Sequence, residues 1–226
     1  MEFTTILFDL DHTLLDSHES EELAFDDTMR SIGIEGPEAV LPTYRTINSA
    51  LWRKVELGEL GPNEVSRLRF VELLDELELE GDPDAMGERF RRGLGAFGEL
   101  YSGAIELLEA LGHARLGLVT NGIGQVQRDR LKRLDLNDHF DGVAISGEVG
   151  VAKPDPAIFN HLGFGAIDPA TTIMIGDSLT SDIAAGARAG FTTCWYNPNG
   201  APMSGEHPPT ITIDALVQIR EVVGAR

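Results

Sequence analysis

The sequence predicts an α/β protein, with a Rossmann-like parallel sheet core and an inserted segment that is entirely helical. Residues 4–8 form an uncharged run of β-branched and aromatic residues, which is typical of a strand buried on both faces of a sheet. Residues 98–226 alternate short apolar runs with helical spacing, the pattern of parallel strands joined by helices. Residues 17–97 show helical spacing alone, so we expect them to interrupt the sheet after its first strand.

Composition indicates a folded globular chain. Of its 226 residues, 42% are hydrophobic and 24% are charged. No apolar run approaches the roughly 20 residues of a membrane span, and the start lacks the pattern of a secretory signal. The single cysteine, Cys194, excludes an intrachain disulfide framework and fits a reducing compartment. We therefore expect a cytoplasmic protein that does not contact membranes.

The net charge of −19 argues against nucleic-acid partners, which require basic surfaces. Residues 1–100 hold 23 acidic and 9 basic residues, so most of the acidic excess lies there. An anionic substrate would need a local positive group, and the chain has only 3 lysines to supply one. The expected partner is a small molecule, and the sequence favours no particular oligomeric state.

Four helical stretches are predicted in the inserted segment. They cover about residues 23–33, 37–55, 65–77 and 86–97. Glycine and proline separate them, and apolar residues recur at three- and four-residue steps within each. Charged residues fill the positions between, which is typical of a helical bundle with a solvated outer face.

Strands and helices alternate in the remaining chain. Strands are predicted at 115–120, 143–146, 171–175, 191–195 and 210–213, and helices at 102–112, 125–134, 154–163, 181–189 and 216–223. Asp155 and Pro156 are expected to start the helix at 154–163. Residues 1–16 and 98–226 are therefore predicted to form the core domain, and residues 17–97 a second, helical domain.

Two carboxylates follow the first strand. Asp9 and Asp11 are two residues apart, so in an extended chain their side chains share one face. They lie where the strand ends, and open α/β sheets bind ligands at that edge. Two like charges so close repel unless a cation or a proton lies between them. The pair predicts a metal or phosphoryl site, although an Asp-rich turn is the simpler alternative.

Polar residues also follow three other predicted strands. Thr120 and Asn121 end the second strand, where a hydroxyl and turn N–H groups can hold an anion. Lys153 follows the third strand in an extended segment at a helix start. Asp177 follows the fourth, with Asp182 five residues later, although Asp182 also suits a helix N-terminus. All of these positions are predicted to lie on the same edge of the sheet as the first two carboxylates.

This order and spacing resembles the haloacid dehalogenase (HAD) superfamily of phosphotransferases. The four signatures of that superfamily correspond here to Asp9-Leu10-Asp11-His12-Thr13, Thr120-Asn121, Lys153, and Gly176-Asp177 with Asp182. The helical insertion resembles the type 1 cap domain of the superfamily. The resemblance implies the HAD fold, with residues 1–16 and 98–226 as its core and residues 17–97 as its cap.

A second resemblance is narrower. Several segments look like the bacterial pyrimidine 5′-nucleotidases of this superfamily, including those that act on noncanonical pyrimidine nucleotides: Leu51-Trp52 with Gly58, Val119 to Gly122, Ile145 to Pro154, and Thr193 to Asn197. This resemblance implies hydrolysis of nucleoside monophosphates. A phosphatase acting on a sugar phosphate or phosphoglycolate, and a phosphomutase, remain open alternatives.

The residues suit the chemistry that the resemblance implies. Asp9 is expected to attack phosphorus and form an aspartyl-phosphate. Asp11 is expected to protonate the leaving oxygen and then deprotonate the hydrolytic water. Mg²⁺ requires oxygen ligands, which Asp9, Asp177 and the backbone carbonyl of Asp11 can supply. The ion would also neutralise carboxylates that otherwise repel a phosphate.

Phosphate binding is assigned to three further residues. Thr120, N–H groups near Asn121 and the ammonium of Lys153 are expected to hold the equatorial phosphate oxygens. Asp182 is expected to orient Lys153 or a metal-bound water.

Two other classes of protein fit less well. A receiver domain is a phosphorylated binding module, but its acidic pair and its acceptor lie on different strands and its chain is much shorter. A hydrolytic dehalogenase shares the nucleophile but has no use for Asp11 or magnesium. In the helical segment, Trp52 suits either the core of that segment or a surface on which a base stacks.

Overall fold

The computed structural model describes residues 3–224 and contains a six-stranded parallel sheet. The strands are β1 (Thr5–Phe8), β2 (Arg115–Thr120), β3 (Gly142–Ile145), β4 (Thr172–Gly176), β5 (Thr192–Tyr196) and β6 (Ile211–Ile213). Their order across the sheet is β3-β2-β1-β4-β5-β6, and every neighbouring pair is parallel. The predicted α/β class with a parallel sheet is therefore confirmed.

Helices connect and precede these strands. The α-helices are α1 (Ser17–Ser31), α2 (Leu41–Glu56), α3 (Val65–Glu76), α4 (Pro83–Ala96), α5 (Ala104–Ala110), α6 (Gly124–Arg133), α7 (Ser146–Val149), α8 (Ala184–Arg188) and α9 (Gln218–Val223). Shorter 3₁₀ segments cover Pro37–Ala39, Asn137–His139, Pro156–His161 and Pro169–Thr171, and a π-helical turn covers Leu179–Ile183. No helix within residues 3–224 has the length and apolar character needed to cross a membrane.

The position of β1 decides where the functional residues meet. Phe8, its last residue, pairs with Leu118 of β2 and Ile175 of β4. Asp9 therefore leaves the sheet between the ends of both neighbouring strands. Because all strands run in the same direction, residues that follow β1, β2, β3 and β4 lie at one edge of the sheet.

Both faces of the sheet are buried, as the uncharged first strand predicts. Ile6 and Phe8 pack into one apolar cluster, which also contains residues of α5, α6 and α9. Leu7 points to the opposite face, where it joins Met174 and Phe159 in a second cluster. The central strand is held from both sides, so the carboxylates that follow it start from a rigid element.

Helices α1 to α4 share an apolar core of their own. Phe25, Tyr44, Phe70 and Phe90 lie at its centre, with the rings of Phe25 and Tyr44 4.6 Å apart. Helices α1 and α4 approach closely at Gly93, where an added Cβ would lie 2.7 Å from the Cβ of Ala24. The four predicted helical stretches are therefore all present.

Three predicted boundaries differ from the structure. Helix α1 begins at Ser17 rather than near residue 23, because the carboxylate of Asp16 accepts hydrogen bonds from the N–H groups of His18 and Glu19 and caps the helix. The helix predicted at 154–163 is instead the 3₁₀ segment Pro156–His161, although Asp155 caps it as expected. The helix predicted at 181–189 is divided between the π-helical turn and α8.

Candidate active site

Lys153 lies at the centre of the sheet edge and is 1% exposed. Its ammonium donates to Oδ1 of Asp9, to Oδ1 of Asp182 and to the carbonyl oxygen of Val119, each at 2.6 Å. The amide of Asn121 fixes its backbone, since Oδ1 accepts from the N–H of Lys153 and Nδ2 donates to its carbonyl oxygen, both at 2.8 Å. Both ends of the Asn121 amide are thus bonded to Lys153. A phosphate at this position could bind backbone N–H groups of the turn but not the Asn121 side chain.

Three carboxylates surround this lysine. Asp9, Asp177 and Asp182 each offer an oxygen within 4.8 Å of the others. Asp182 can come so near because residue 176 is glycine, where a Cβ would lie 2.3 Å from the carboxyl carbon of Asp182. Both oxygens of Asp182 are bound, Oδ1 by Lys153 and Oδ2 by the N–H of Ser178 at 2.9 Å. Asp182 therefore contacts both the ammonium of Lys153 and the backbone of the turn after β4.

The charges of this cluster do not balance. Burial, followed by repulsion from neighbouring carboxylates, raises the pKa of Asp9 to about 8 despite the attraction of Lys153. The pKa of Asp177 also lies well above its ordinary value, because of burial and then the charges of Asp182 and Asp9. Burial disfavours the ammonium of Lys153, yet the two carboxylates that it contacts outweigh this effect and raise its pKa. The single ammonium of Lys153 thus faces the carboxyl groups of Asp9, Asp177 and Asp182.

This imbalance fits a divalent cation. The carboxylate of Asp177 receives no hydrogen bond from residues 3–224, and a second oxygen of Asp9 has only a 3.4 Å contact with the hydroxyl of Thr13. Both residues therefore have oxygens available for a hard metal ion. The backbone carrying Asp177 is held by Trp195, whose indole N–H donates to its carbonyl oxygen at 2.7 Å.

Asp11 makes different contacts from Asp9. Its Oδ1 accepts from the hydroxyl of Ser17 and from Nη1 of Arg130, each at 2.5 Å, and its Oδ2 accepts from Nε2 of Gln127 at 2.6 Å. Burial raises its pKa, but the charge of Arg130 and the hydrogen bond from Ser17 outweigh burial and leave the pKa below its ordinary value. Asp11 is therefore ionised in this arrangement.

The turn after β2 provides hydrogen-bond donors. Thr120 is fully buried, and its hydroxyl accepts from Nε2 of Gln127 at 2.7 Å, which leaves the hydroxyl proton free to be donated. Helix α6 begins directly after this turn without a side-chain cap, and Gly122 and Ile123 line the adjacent cavity. Uncapped N–H groups at a helix start carry partial positive charge and attract anions.

A cavity of about 560 Å³ lies between this edge of the sheet and the inserted helices. Asp9, Asp11, Lys153 and Asp177 line its floor. One face of α2 lines its roof, at spacings of three and four residues: Arg45, Asn48, Ser49, Trp52, Arg53 and Glu56. This face is polar and aromatic, whereas the opposite face of α2 is apolar and packs in the helical core.

The sequence predicted most of the floor but not its supports. The structure brings Asp9, Asp11, Lys153, Asp177 and Asp182 to one cavity. Thr120 does not line the cavity but is buried next to it, where it contacts Gln127, and the side chain of Asn121 holds the backbone of Lys153. Sequence reasoning missed Ser17, Gln127 and Arg130 around Asp11. The one available signal in the sequence was that Gln127 and Arg130 are three residues apart, which places them on one face of a mostly polar helix. The structure buries both side chains. Trp52 contacts both the cavity and an apolar cluster, so both of its expected surroundings are present.

Comparisons with known proteins agree with this geometry. The family model described as haloacid dehalogenase-like hydrolase matches residues 3–190. Pyrimidine 5′-nucleotidase PynA of Streptococcus pneumoniae is 34% identical over 94% of this chain and 92% of its own, and pyrimidine 5′-nucleotidase YjjG of Escherichia coli is 32% identical over 99% of both. The crystal structure of the putative HAD-hydrolase YfnB of Bacillus subtilis, bound to magnesium and described as revealing interdomain movement, superposes with a TM-score of 0.89 at 34% identity over 99% of both chains.

Proposed function

The chain belongs to the haloacid dehalogenase-like hydrolase family, and we propose that it is a Mg²⁺-dependent phosphatase that forms an aspartyl-phosphate on Asp9. The family and its nucleotidase relatives make it a phosphoric monoester hydrolase. The observation that carries the mechanism is the arrangement of Asp9, Asp177 and Asp182 around a buried Lys153 on the floor of the cavity. We also propose that residues 1–16 and 98–226 form the core domain and residues 17–97 the cap domain.

In the first step, Asp9 attacks phosphorus and the ester oxygen leaves. Lys153 holds a non-bridging phosphate oxygen while remaining anchored by Asp182, and the hydroxyl of Thr120 and the N–H groups that begin α6 hold the others. These donors are fixed before the substrate arrives, so they stabilise the developing charge without having to reorganise.

Asp11 transfers protons in both steps. It is held ionised by its three hydrogen-bond donors, which is the form that accepts a proton from the water attacking the aspartyl-phosphate. When substrate binds, Asp11 takes up a proton, and it then donates this proton to the leaving oxygen. Only the second carboxylate of the pair can do so, because the first is bonded to phosphorus.

Mg²⁺ would be held by Asp9, Asp177 and the backbone carbonyl of Asp11. It supplies positive charge that screens the phosphate from the carboxylate cluster and polarises the phosphoryl oxygens. Each carboxylate oxygen of Asp182 already accepts one hydrogen bond, from Lys153 and from the N–H of Ser178, so we assign Asp182 to orienting Lys153 rather than to the metal ion.

We propose pyrimidine nucleoside monophosphates as substrates. The floor recognises a phosphoryl group that all phosphomonoesters share, so discrimination must come from the roof. The names of two relatives, both pyrimidine 5′-nucleotidases, favour this substrate. The polar face of α2 also favours it, since Trp52 offers a stacking surface and Asn48 and Arg45 offer groups for a base edge. The cap would close over the bound substrate and limit access of water.

The remaining assignments follow from composition. The substrate is a small molecule rather than a nucleic acid, because the chain carries a net charge of −19. Its lone cysteine, Cys194, is fully buried as a free thiol, which fits the cytoplasm as its compartment.

The test is a comparison of kcat/KM for dUMP, dTMP, dAMP and a hexose phosphate, with magnesium and with excess chelator. The pyrimidine nucleotides should be preferred, and chelator or the Asp9→Asn variant should abolish turnover. A hexose phosphate or phosphoglycolate favoured by more than about tenfold, or 1.4 kcal/mol, would overturn the nucleotidase assignment and leave the phosphatase chemistry intact. Equal turnover in chelator would overturn the metal assignment.

A further inference from the structure

One side chain of α6 reaches Asp11 and the inserted helices at the same time. Arg130 is 4% exposed, and its Nη1 donates to Oδ1 of Asp11 at 2.5 Å. Its Nε donates to the carbonyl oxygen of Leu94 at 2.8 Å, and its Nη2 to the hydroxyl of Ser20 at 2.9 Å. Leu94 belongs to α4 and Ser20 to α1, so a single guanidinium joins the carboxylate to two helices of the cap.

The orientation in which Asp11 is held keeps it beside the phosphate-binding hydroxyl. Nε2 of Gln127 donates both to Oδ2 of Asp11 at 2.6 Å and to the hydroxyl oxygen of Thr120 at 2.7 Å. Oε1 of the same amide accepts from Nη1 of Arg130 at 3.1 Å, which fixes which end of the amide faces Asp11. Because Asp11 and Thr120 share one nitrogen, the carboxylate faces the part of the cavity where the ester oxygen must lie.

We propose that Arg130 is a positioning residue, which fixes the carboxyl of Asp11 at the leaving oxygen and couples that position to the seating of the cap. The proposal rests on the proposed function, since it requires Asp11 to transfer protons. Arginine suits the task because its planar group presents five N–H donors in fixed directions, and four contacts are made here. Without it, Asp11 keeps the donors Gln127 and Ser17, the first residue of α1, but loses its charged donor and its link to α4.

The test separates proton donation from all other steps. For Arg130→Met, kcat/KM is measured on p-nitrophenyl phosphate and on an alkyl phosphate, either dUMP or ribose 5-phosphate, whichever the wild-type enzyme hydrolyses faster. This ratio reports the steps up to formation of the aspartyl-phosphate. Nitrophenolate leaves without a proton, whereas an alkoxide requires one, so we expect a loss of at least about tenfold on the alkyl phosphate and under about threefold on the aryl phosphate.

Arg133→Met is the matched control. Arg133 lies one turn further along α6 and donates to the carbonyl oxygens of Gly95 and Phe97, at 3.1 and 3.0 Å, and of Gly98. It therefore binds the return connection of the cap but makes no contact with Asp11. A variant that merely loosens the cap should slow both substrates alike. If Arg130→Met does the same, the proposal is overturned.

Two further variants complete the test. In an Asp11→Asn background, Arg130→Met should cause no further loss on the alkyl phosphate, because it acts through Asp11, and additive losses would contradict the proposal. Arg130→Lys keeps a cation within reach of Asp11 but cannot make every contact, so it should show the same selective loss at smaller size. This variant decides the question if the methionine variant does not fold. If the wild-type protein has no phosphatase activity, the proposed function is overturned together with this inference. If the Arg130 and Arg133 variants lose kcat/KM on the aryl and alkyl phosphates in the same proportion, this inference alone is overturned.

Discussion

Replacing Lys153 by methionine should destabilise the metal-free protein in a pH-dependent way. The ammonium is 1% exposed and lies 2.6 Å from Oδ1 of both Asp9 and Asp182, while methionine fills similar space without charge. Removing one partner from a buried ion pair costs about 3–5 kcal/mol, because the remaining charges lose their compensation. We therefore expect the free energy of unfolding at pH 9, where Asp9 is ionised in the wild-type protein, to fall by about that amount.

The loss should shrink at lower pH. A carboxyl whose pKa is raised by folding still holds its proton in the folded protein at pH values where the unfolded chain has released it. Such a carboxyl therefore lowers the free energy of unfolding as the pH rises above about 4. Without Lys153 the pKa of Asp9 rises further above its wild-type value of about 8, so between these two pKa values only the variant gains a proton and it recovers up to about 1.4 kcal/mol per pH unit. Below about pH 8 both proteins hold this proton, so the remaining loss should stay constant as the pH falls further.

Urea unfolding followed by tryptophan fluorescence measures this difference, with chelator present, from pH 6 to pH 9. Lys132→Met is the control, because Lys132 is an exposed lysine on α6. Magnesium should restore part of the lost stability at pH 8, since it replaces the missing positive charge. If the Lys153 and Lys132 variants unfold at the same urea concentration throughout this range, Lys153 does not neutralise the carboxylates and the reasoning is wrong.

Four further predictions concern the site and its surroundings. Intact mass after mixing with p-nitrophenyl phosphate should show a phosphate adduct for Asp11→Asn but none for Asp9→Asn, and an adduct on the latter would exclude Asp9 as nucleophile. Mg²⁺ affinity measured by calorimetry should rise by up to about tenfold per pH unit below pH 8, because the ion displaces the proton that the raised pKa of Asp9 retains, and a flat profile would contradict this. Trp52→Ala should raise KM for dUMP by about fivefold to a hundredfold and leave ribose 5-phosphate unaffected, whereas equal effects on both would argue against stacking. Cys194 should resist thiol reagents until the protein unfolds, because burial raises the pKa of its thiol to about 12.

The sheet was predictable because its signals are local. Each strand is a short run with few or no charges, and the run at residues 4–8 was found as Thr5–Phe8. Parallel direction then places all strand ends at one edge, which is why Asp9, Thr120, Lys153 and Asp177 could be assigned to one site before any geometry was known. The roles of these residues remain proposals, but their proximity follows from topology alone.

The break in the helix predicted at 181–189 could not be foreseen because tertiary contacts set it. The π-helical turn at Leu179–Ile183 arises where the N–H of Ile183 donates to the carbonyl oxygen of Ser178 at 3.1 Å, five residues back. This turn positions Asp182 against Lys153, a contact between residues 29 positions apart. Ordinary helical spacing does not reveal such a contact, and the sequence there suggested a single helix at 181–189.

Helix α6 shows why the residues that support Asp11 could not be identified from the sequence. Its sequence is largely polar, which alone is typical of a helix with a wet face. Yet Gln127 and Arg130 are buried, because their N–H groups donate to oxygens of Asp11 and of Leu94 in α4. The residue type alone does not reveal that such acceptors are present. Residues that support the site therefore differ from surface residues in one feature: their polar side chains are buried and fully hydrogen-bonded.

The same helix explains how an acidic chain can receive an anion. On the roof, Arg45 and Arg53 form ion pairs with Glu22 and Glu56. On the floor, three groups can attract an anion over a short range: the uncapped start of α6, the buried ammonium of Lys153 and the proposed metal ion. Helix α6 has an uncapped start beside the cavity, and its Arg130 contacts both Asp11 and α4. If the start of α6 binds phosphate as proposed, we expect phosphate binding, proton transfer and the position of the inserted helices to respond to one another along this ten-residue helix.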